Sequence, residues 1–139
     1  EHRLEFVREL KGVKFYNDSK ATNVDSTFFA LESFDAGQVV LIAGGKHKGA
    51  PYAPLKNVVK QKVKGLVLIG QAAELIEQEL NGMTKMIRAD SMKDAVKKSF
   101  ALTQPGDVVL LSPACSSYDM FKNYEDRGHQ FKDAVQTLS

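Results

Sequence analysis

The sequence has one cysteine, no tryptophan and four prolines in 139 residues, and it has no long hydrophobic run. The single cysteine, Cys115, excludes an internal disulfide and fits a reducing compartment. A membrane-spanning helix needs about 20 consecutive apolar residues, and no stretch approaches that length or resembles a signal peptide. We therefore expect a cytoplasmic protein that does not bind a membrane.

An excess of charge of one sign is also missing. The 19 basic and 17 acidic residues leave a formal net charge of +2, spread evenly along the chain. Such a balance argues against a nucleic-acid partner, which selects clustered basic residues. The three histidines are scattered and the acidic residues show no metal-ligand spacing, so we expect no metal site built by this chain.

The remaining composition is that of one globular domain. Hydrophobic residues make up 43% and charged residues 26% of the chain, and no linker or repeat divides it. We expect a single domain over residues 1–139, and a monomer. The chain opens with Glu1 and His2 rather than Met, so we interpret it as a piece of a longer protein.

Short apolar runs alternate with amphipathic stretches from residue 13 onward. Five runs have the length and mostly the β-branched composition of strands, at 13–16, 39–43, 66–69, 86–88 and 108–111. Apolar residues near helical spacing predict helices at about 21–34, 54–63, 71–81, 91–103 and 118–137. Residues 4–8 alternate in polarity and join the first run through Lys11-Gly12, which predicts an antiparallel edge strand.

This order predicts a doubly wound, Rossmann-like α/β domain with a mostly parallel sheet and helices on both faces. In such sheets ligands bind beyond the carboxyl ends of the strands, where loops meet helix N-termini. Three loops that follow predicted strands are rich in polar or glycine residues, and the candidate site residues lie in them.

The first loop, Asn17–Asn23, contains Asp18, Lys20 and Thr22. One Asp or Ser would be enough to cap the helix that follows, so a capping role accounts for only part of this polar block. Lys20 and Thr22 together offer a cation and a hydroxyl suited to holding a carboxylate, while Asp18 could accept hydrogen bonds from hydroxyls.

The second loop, Gly44–Gly49, combines glycines with Lys46, His47 and Lys48. Glycines let the backbone approach a ligand, and the cations favour an anion. The spacing is not that of a P-loop, which is absent throughout the chain. A flexible, solvated surface loop is the competing interpretation.

In the third loop, Ser112–Tyr118, Ser116 or Ser117 would cap the last helix, and a second carboxylate could dock at its N-terminus. The serines have no His-Asp partners at a suggestive spacing, and Cys115 lies in a turn of small residues. We therefore expect no covalent catalysis.

Three blocks together resemble the C-terminal, amino-acid-binding domain of the bacterial Mur ligases. They are His-Arg-Leu-Glu at 2–5, Asn-Asp-Ser-Lys-Ala-Thr-Asn at 17–23, and the segment from Leu-Ser-Pro-Ala-Cys-Ser-Ser to Asn-Tyr-Glu-Asp-Arg-Gly at 111–128, with Gly-Gly-x-x-Lys-Gly at 44–49 between them. Ligases for other amino acids and folylpolyglutamate synthases carry Asn-Pro or His-Asn versions of the first loop. The resemblance is therefore strongest to the D-glutamate-adding branch.

The resemblance implies a reaction and a set of ligands. ATP phosphorylates the carboxylate of UDP-N-acetylmuramoyl-L-alanine, and the amine of D-glutamate attacks the acyl phosphate to form an amide of the peptidoglycan precursor. ATP and Mg²⁺ would belong to the full enzyme, with neither bound by this domain alone. The P-loop, metal ligands and uridine-nucleotide pocket would lie in preceding domains, so we expect no ligase activity from this chain alone.

The resemblance also implies roles for particular residues. Lys48 and Thr22 would hold the α-carboxylate of D-glutamate, with Lys20 supporting the pocket. The side-chain carboxylate would be held by Ser117 and by the backbone near Tyr118 and Tyr124. The residues that would contact the nucleotide are Arg3, Asp18 and the neighbouring His2.

Arg3 and Asp18 are expected to have exposed side chains without partners, because they would clamp ATP across a domain interface. Lys46, His47 and Pro51-Tyr52 differ from the acidic and Phe-containing versions of the Gly-Gly loop, which leaves the pose of Lys48 open. Two alternatives remain: a non-catalytic α/β module that binds an anion or nucleotide, and the equivalent domain of a ligase for another amino acid.

Overall fold

The computed structural model describes all residues, Glu1–Ser139, and contains one six-stranded sheet. The strands are β1 (Glu5–Leu10), β2 (Val13–Asn17), β3 (Val39–Gly44), β4 (Val63–Ile69), β5 (Met86–Arg88) and β6 (Val108–Leu111). The helices are α1 (Val24–Glu32), α2 (Lys56–Lys62), α3 (Ala73–Glu79), α4 (Met92–Ala101) and α5 (Tyr124–Gln136), with a 3₁₀ turn at Ala53–Leu55 before α2.

The strand order is β1-β2-β6-β3-β4-β5, with β1 antiparallel to β2 and every other neighbouring pair parallel. The doubly wound α/β fold and its antiparallel edge strand are therefore confirmed. None of the helices combines the length and the apolar character that a membrane crossing requires.

Two apolar layers enclose the sheet because successive strand residues point to opposite faces. On β3, Leu41 packs into the core covered by α1, α2 and α3, whereas Val40 and Ile42 pack into the core covered by α4 and α5. All six residues of β3 are buried, as expected for a central parallel strand.

The loops after β3 and β6 leave the sheet toward opposite faces. The chain goes from β3 to α2 in one layer and from β6 to α5 in the other, although β3 and β6 are adjacent strands. A crevice opens at the carboxyl ends of such a strand pair. The fold therefore places the second and third candidate loops side by side.

Two helix starts differ from the sequence predictions. Helix α1 begins at Val24, with the Asn23 side chain accepting from the Ser26 N–H at 2.9 Å. Helix α5 begins at Tyr124 rather than near 118, and neither Ser116 nor Ser117 is its cap. The Ser116 backbone is instead paired with Lys46 across the crevice, and an isolated turn follows in which the Phe121 N–H donates to the Ser117 carbonyl at 2.9 Å.

The edge strand β1 is fastened to the end of α5. The guanidinium of Arg8 donates to the carbonyl oxygens of Val135 and Leu138, both at 2.9 Å. These carbonyls belong to the last turn of α5 and the residues after it, where a cation also interacts favourably with the helix dipole. Lys132 of α5 adds ion pairs to Glu1 at 2.7 Å and Glu5 at 3.2 Å.

Replacing the true cap of α5 tests the corrected helix start. Asn123 Oδ1 accepts from the Asp126 N–H at 2.7 Å, so Asn123→Ala is expected to lower the free energy of unfolding by about 1 kcal/mol. The measurement is urea unfolding followed by circular dichroism. Ser116→Ala is the control and should lose no capping energy; an equal loss in both variants would contradict the assignment.

Candidate functional site

Four loops meet at the carboxyl ends of β2, β3, β4 and β6. The Ala114 N–H donates to the Ala21 carbonyl at 3.0 Å, which joins the loops after β6 and β2. The Lys46 N–H donates to the Ser116 carbonyl at 3.0 Å, and the Ala72 N–H donates to the Gly45 carbonyl at 2.7 Å. The three loops that the sequence analysis singled out are therefore parts of one assembly.

The glycines of the second loop allow this close approach. Gly44 and Gly45 have φ values of 122° and 140°, and a Cβ on Gly45 would lie 2.3 Å from the Ser116 carbonyl oxygen. We expected these glycines to admit a ligand to the backbone. Their observed contacts are with the neighbouring loops, so their role in the structure is to pack one loop against the next.

A fully buried guanidinium lies beneath the assembly. Arg127, in the first turn of α5, is 0% exposed. Its Nη2 donates to the Ser19 carbonyl at 2.7 Å, its Nε to the Ser19 hydroxyl at 2.9 Å, and its Nη1 to the Cys115 carbonyl at 3.0 Å. The Ser19 hydroxyl in turn donates to the Tyr124 carbonyl at 2.7 Å.

All hydrogen-bond partners of Arg127 are neutral. Burial lowers the pKa of Arg127 to about 10, so the side chain remains a cation at neutral pH. Arg127 hydrogen-bonds no carboxylate, and the charge of nearby Asp119 offsets only part of the positive potential that this buried cation produces at the floor of the site. Arg127 falls within the motif at 111–128, but nothing in its spacing predicts a contact with Ser19, which is 108 residues away in the chain.

A small cavity of about 140 Å³ opens where the first two loops meet. Lys48 Nζ donates to the Thr22 carbonyl at 3.3 Å, which brings together two residues that the sequence analysis assigned to one carboxylate. The cavity is lined by Thr22, Asn23, Val24, Lys48, Ala50, Tyr52 and Ala114. Its volume suits one end of a small molecule rather than a drug-sized ligand.

The other residues predicted to bind D-glutamate do not line this cavity, and they differ in exposure. Ser117 is buried, at 2% exposure, yet its hydroxyl makes no hydrogen bond within the protein. Lys20 is exposed and Tyr118 is 70% exposed. Tyr124 is half-buried at the start of α5; its backbone carbonyl accepts from the Ser19 hydroxyl, and its ring packs edge-on against His2 with centroids 6.0 Å apart.

The expectation for Arg3 and Asp18 is half wrong. Arg3 is exposed and has no hydrogen bond or ion pair, as expected. Asp18 is only 3% exposed, and its carboxylate accepts from the Leu4 N–H at 3.0 Å and from the Ser112 hydroxyl at 2.8 Å. Asp18 is buried because the segment around Arg3 folds over it, and this burial raises the pKa of its carboxyl group.

His2 is also buried, at 3% exposure, and its Nδ1 lies 2.8 Å from Asn17 Nδ2. Asn17 Oδ1 already accepts from the Ser19 N–H, so the Asn17 amide nitrogen is the donor and the His2 proton resides on Nε2. That Nε2 has no hydrogen-bond partner, although a carboxylate oxygen of Glu1 lies 3.6 Å away and a ring nitrogen of His129 lies within 4.8 Å. A metal on His2 Nε2 would need the other tautomer, which Asn17 disfavours.

The family described as "Mur ligase, glutamate ligase domain" matches residues 2–115. The chain therefore belongs to the Mur ligase family, which confirms the resemblance found in the sequence. It is 56% identical over 137 residues to the UDP-N-acetylmuramoylalanine–D-glutamate ligase of Trichlorobacter lovleyi. It is 51% identical over 140 residues to the ligase of the same name from Coxiella burnetii.

Both matches cover 99% of this chain, but only 30% and 32% of the two relatives. The chain thus spans about a third of their length. Among solved structures, FolC of E. coli in complex with ADP superimposes with a TM-score of 0.66 at 18% identity, covering 99% of this chain and 32% of that one. MurF ligase of Thermotoga maritima in complex with ADP gives 0.56 at 19% identity, with 99% and 32% covered. These two likenesses concern the fold.

Burial of Asp18 predicts a pH-dependent stability. The unfolded chain releases the Asp18 proton near pH 4, whereas the folded protein retains it to higher pH. The free energy of unfolding of the wild type, relative to Asp18→Asn, should therefore fall as the pH rises through this window and level off above the raised pKa. Urea titrations of both proteins at several pH values measure this difference. A difference that stays constant or grows with pH would refute the assignment.

Removing the Arg127 guanidinium is expected to destabilise the protein strongly. Arg127→Met leaves the Ser19 and Cys115 carbonyls without their buried donors, which should cost about 3 kcal/mol or more of unfolding free energy. The control is Arg88→Met, which breaks an exposed ion pair to Glu77 and should cost less than about 1 kcal/mol. Chemical unfolding measures both, and comparable losses would show that the buried contacts contribute little.

Proposed function

We propose that this chain is the D-glutamate-binding domain of a ligase that joins D-glutamate to UDP-N-acetylmuramoyl-L-alanine with ATP. The observation that carries the proposal is the cavity shared by Lys48 and Thr22, beside a loop whose Ser117 hydroxyl has no internal partner. Relatives at 51% and 56% identity bear the name of that ligase. The name of these relatives supports D-glutamate as the ligand, and the cavity supports binding at this edge of the sheet.

D-glutamate carries two carboxylates, so its site needs two anion-binding groups separated by the length of the molecule. Lys48 and the Thr22 hydroxyl would hold the α-carboxylate. The Ser117 hydroxyl, with backbone groups near Tyr118 and Tyr124, would hold the side-chain carboxylate. The bridge between Lys46 and Ser116 supports this arrangement because it keeps the two loops adjacent.

Two further cations favour an anionic ligand here. Lys20 is exposed in the first loop and makes no side-chain hydrogen bond, so it remains available to the pocket. Arg127 contributes its charge from below without touching the ligand, because its donors are already used by Ser19 and Cys115. Binding would thus use fixed cations, which stabilise a carboxylate without reorganisation.

Arg3 would contact the nucleotide from across a domain interface. Its side chain is free, and its neighbours His2 and Leu4 have φ values of 64° and 42°, a conformation that such residues seldom adopt. Asp18 and His2 would act mainly by holding this segment, since the Leu4 N–H donates to Asp18 and the Lys20 N–H donates to the His2 carbonyl at 3.0 Å.

The rest of the chemistry would belong to the larger part of the enzyme. ATP would phosphorylate the muramoyl carboxylate there, and the amine of D-glutamate held on this domain would attack the acyl phosphate. Mg²⁺ would also bind there, because the groups lining the cavity here are cations and hydroxyls rather than the carboxylates that Mg²⁺ prefers. This domain would contribute position and charge, and no turnover alone. Cys115 is a buried free thiol, which suits the cytoplasm.

The two lysines of the second loop provide a matched test. Lys48 contacts the Thr22 carbonyl, whereas Lys46 is exposed and its side chain has no partner. Lys48→Ala is expected to weaken D-glutamate binding at least tenfold, the loss of one charge-assisted hydrogen bond, while Lys46→Ala should change it less than about twofold. Amide chemical shifts of the 139-residue chain during titration measure the affinity.

The same titration with L-glutamate tests the substrate. We expect shifts at Thr22, Lys48 and Ser117 with D-glutamate and much weaker shifts with the L-enantiomer. Equal response to both would favour a general anion-binding module. Absence of any response up to tens of millimolar, roughly the weakest binding of so small a ligand, would contradict a preformed pocket.

A further inference from the structure

We propose that Tyr52 is a positioning residue that fixes the Lys48 loop, residues 46–52, for binding of the substrate carboxylate; the inference rests on the function proposed above. Tyr52 lies in the part of the loop that departs from the family pattern. Tyr52 as a whole is 2% exposed, and it lines the same cavity as Lys48 and Thr22.

The Lys48 loop is attached to the domain at its two ends. At the first end, Lys46 and Ser116 exchange backbone hydrogen bonds of 3.0 and 3.3 Å. At the second end, the Tyr52 N–H donates to a carboxylate oxygen of Glu79, on α3, at 2.7 Å. No backbone hydrogen bond holds residues 47–51 between these attachments.

The Tyr52 hydroxyl supplies the contacts that reach back into the loop. It lies 3.0 Å from His47 Nδ1 and 3.1 Å from Cys115 Sγ, so it connects the residue before Lys48 to the loop after β6. A hydroxyl has one proton to donate and two acceptor positions. The Tyr52 hydroxyl can therefore donate to one of His47 and Cys115 and accept from the other, and both hydrogen bonds form in either arrangement. Burial and the Cys115 thiol raise the pKa of Tyr52, which keeps the ring neutral beside a site for anions.

The position of Lys48 therefore depends more on Tyr52 than on the hydrogen bond that Lys48 itself makes with the Thr22 carbonyl. The hydrogen bond from Lys48 Nζ to Thr22 is 3.3 Å long and exposed, and Gly49 beside Lys48 has a φ of 95° with open space around it. A long, exposed contact holds a flexible side chain weakly. Without the Tyr52 hydroxyl, the ammonium would sample many positions and would lose entropy on binding a carboxylate.

The test compares Tyr52→Phe with Tyr16→Phe, each of which deletes one hydroxyl. The Tyr16 ring packs between Phe6 and Phe34, its hydroxyl makes no hydrogen bond, and it lies outside the site. In the ligand-free chain, amide relaxation should show order parameters of residues 47–50 falling below about 0.6 in Tyr52→Phe. They should stay at wild-type values in Tyr16→Phe. Unchanged order in Tyr52→Phe would overturn the proposal whether or not D-glutamate binds.

The affinity for D-glutamate distinguishes a residue that positions Lys48 from one that only stabilises the fold. Tyr52→Phe should weaken binding about fivefold to tenfold, the usual magnitude for one hydrogen bond. In a Lys48→Ala background it should cause no further loss, because the effect passes through Lys48. Additive losses would overturn the proposal. If the wild type binds no D-glutamate, the proposed function fails, while the order parameters still decide whether Tyr52 holds the loop.

A second variant guards against a folding defect in Tyr52→Phe. Cys115→Ala keeps the tyrosine and removes the Sγ contact, so it should loosen residues 47–50 in the same direction by a smaller amount. If both variants fold and leave the loop ordered, Tyr52 does not position Lys48.

Discussion

The candidate site depends on the burial of one guanidinium. Arg127 comes from α5, and its three contacts reach the loop after β2 and the loop after β6. The buried carbonyls of Ser19 and Cys115 need hydrogen-bond donors, because an unpaired buried carbonyl is costly. The guanidinium supplies those donors. An arginine can serve in this way because it presents five N–H groups in a fixed plane. The resulting cation hydrogen-bonds no carboxylate, although the charge of nearby Asp119 acts on it.

The sheet topology then determines where this charge is used. Because β6 lies between β2 and β3, the loops that follow these three strands open onto one crevice. Gly45 removes the side chain that would separate the second loop from the third. Segments nearly a hundred positions apart in the chain, such as those around Ala21 and Ala114, therefore come into contact at this edge of the sheet.

The sequence was sufficient for the fold, because the fold follows from local patterns such as the apolar run of β3. The three polar loops after strands lie together, as predicted, at the edge of the sheet where we propose that the ligand binds. Burial of Asp18 was not predictable, since it depends on contacts with Leu4 and Ser112, 14 and 94 residues away. The cap of α5 was misplaced for a related reason: the pairing between Ser116 and Lys46 is a tertiary contact that overrides local helix propensity. The hydroxyl contacts of Tyr52 likewise have no local signature.

The contacts that join β1 and the N-terminal segment to α5 have a mechanical consequence. Arg8 and Lys132 connect the N-terminal segment to the helix whose first turn carries Tyr124 and Arg127. A tension applied near Arg3 would therefore pass through these contacts into α5 and along it to the floor of the site, instead of peeling away the edge strand. A domain held together in this way would rotate as a rigid body when pulled from that end. Its candidate site residues would keep their mutual distances during such a rotation.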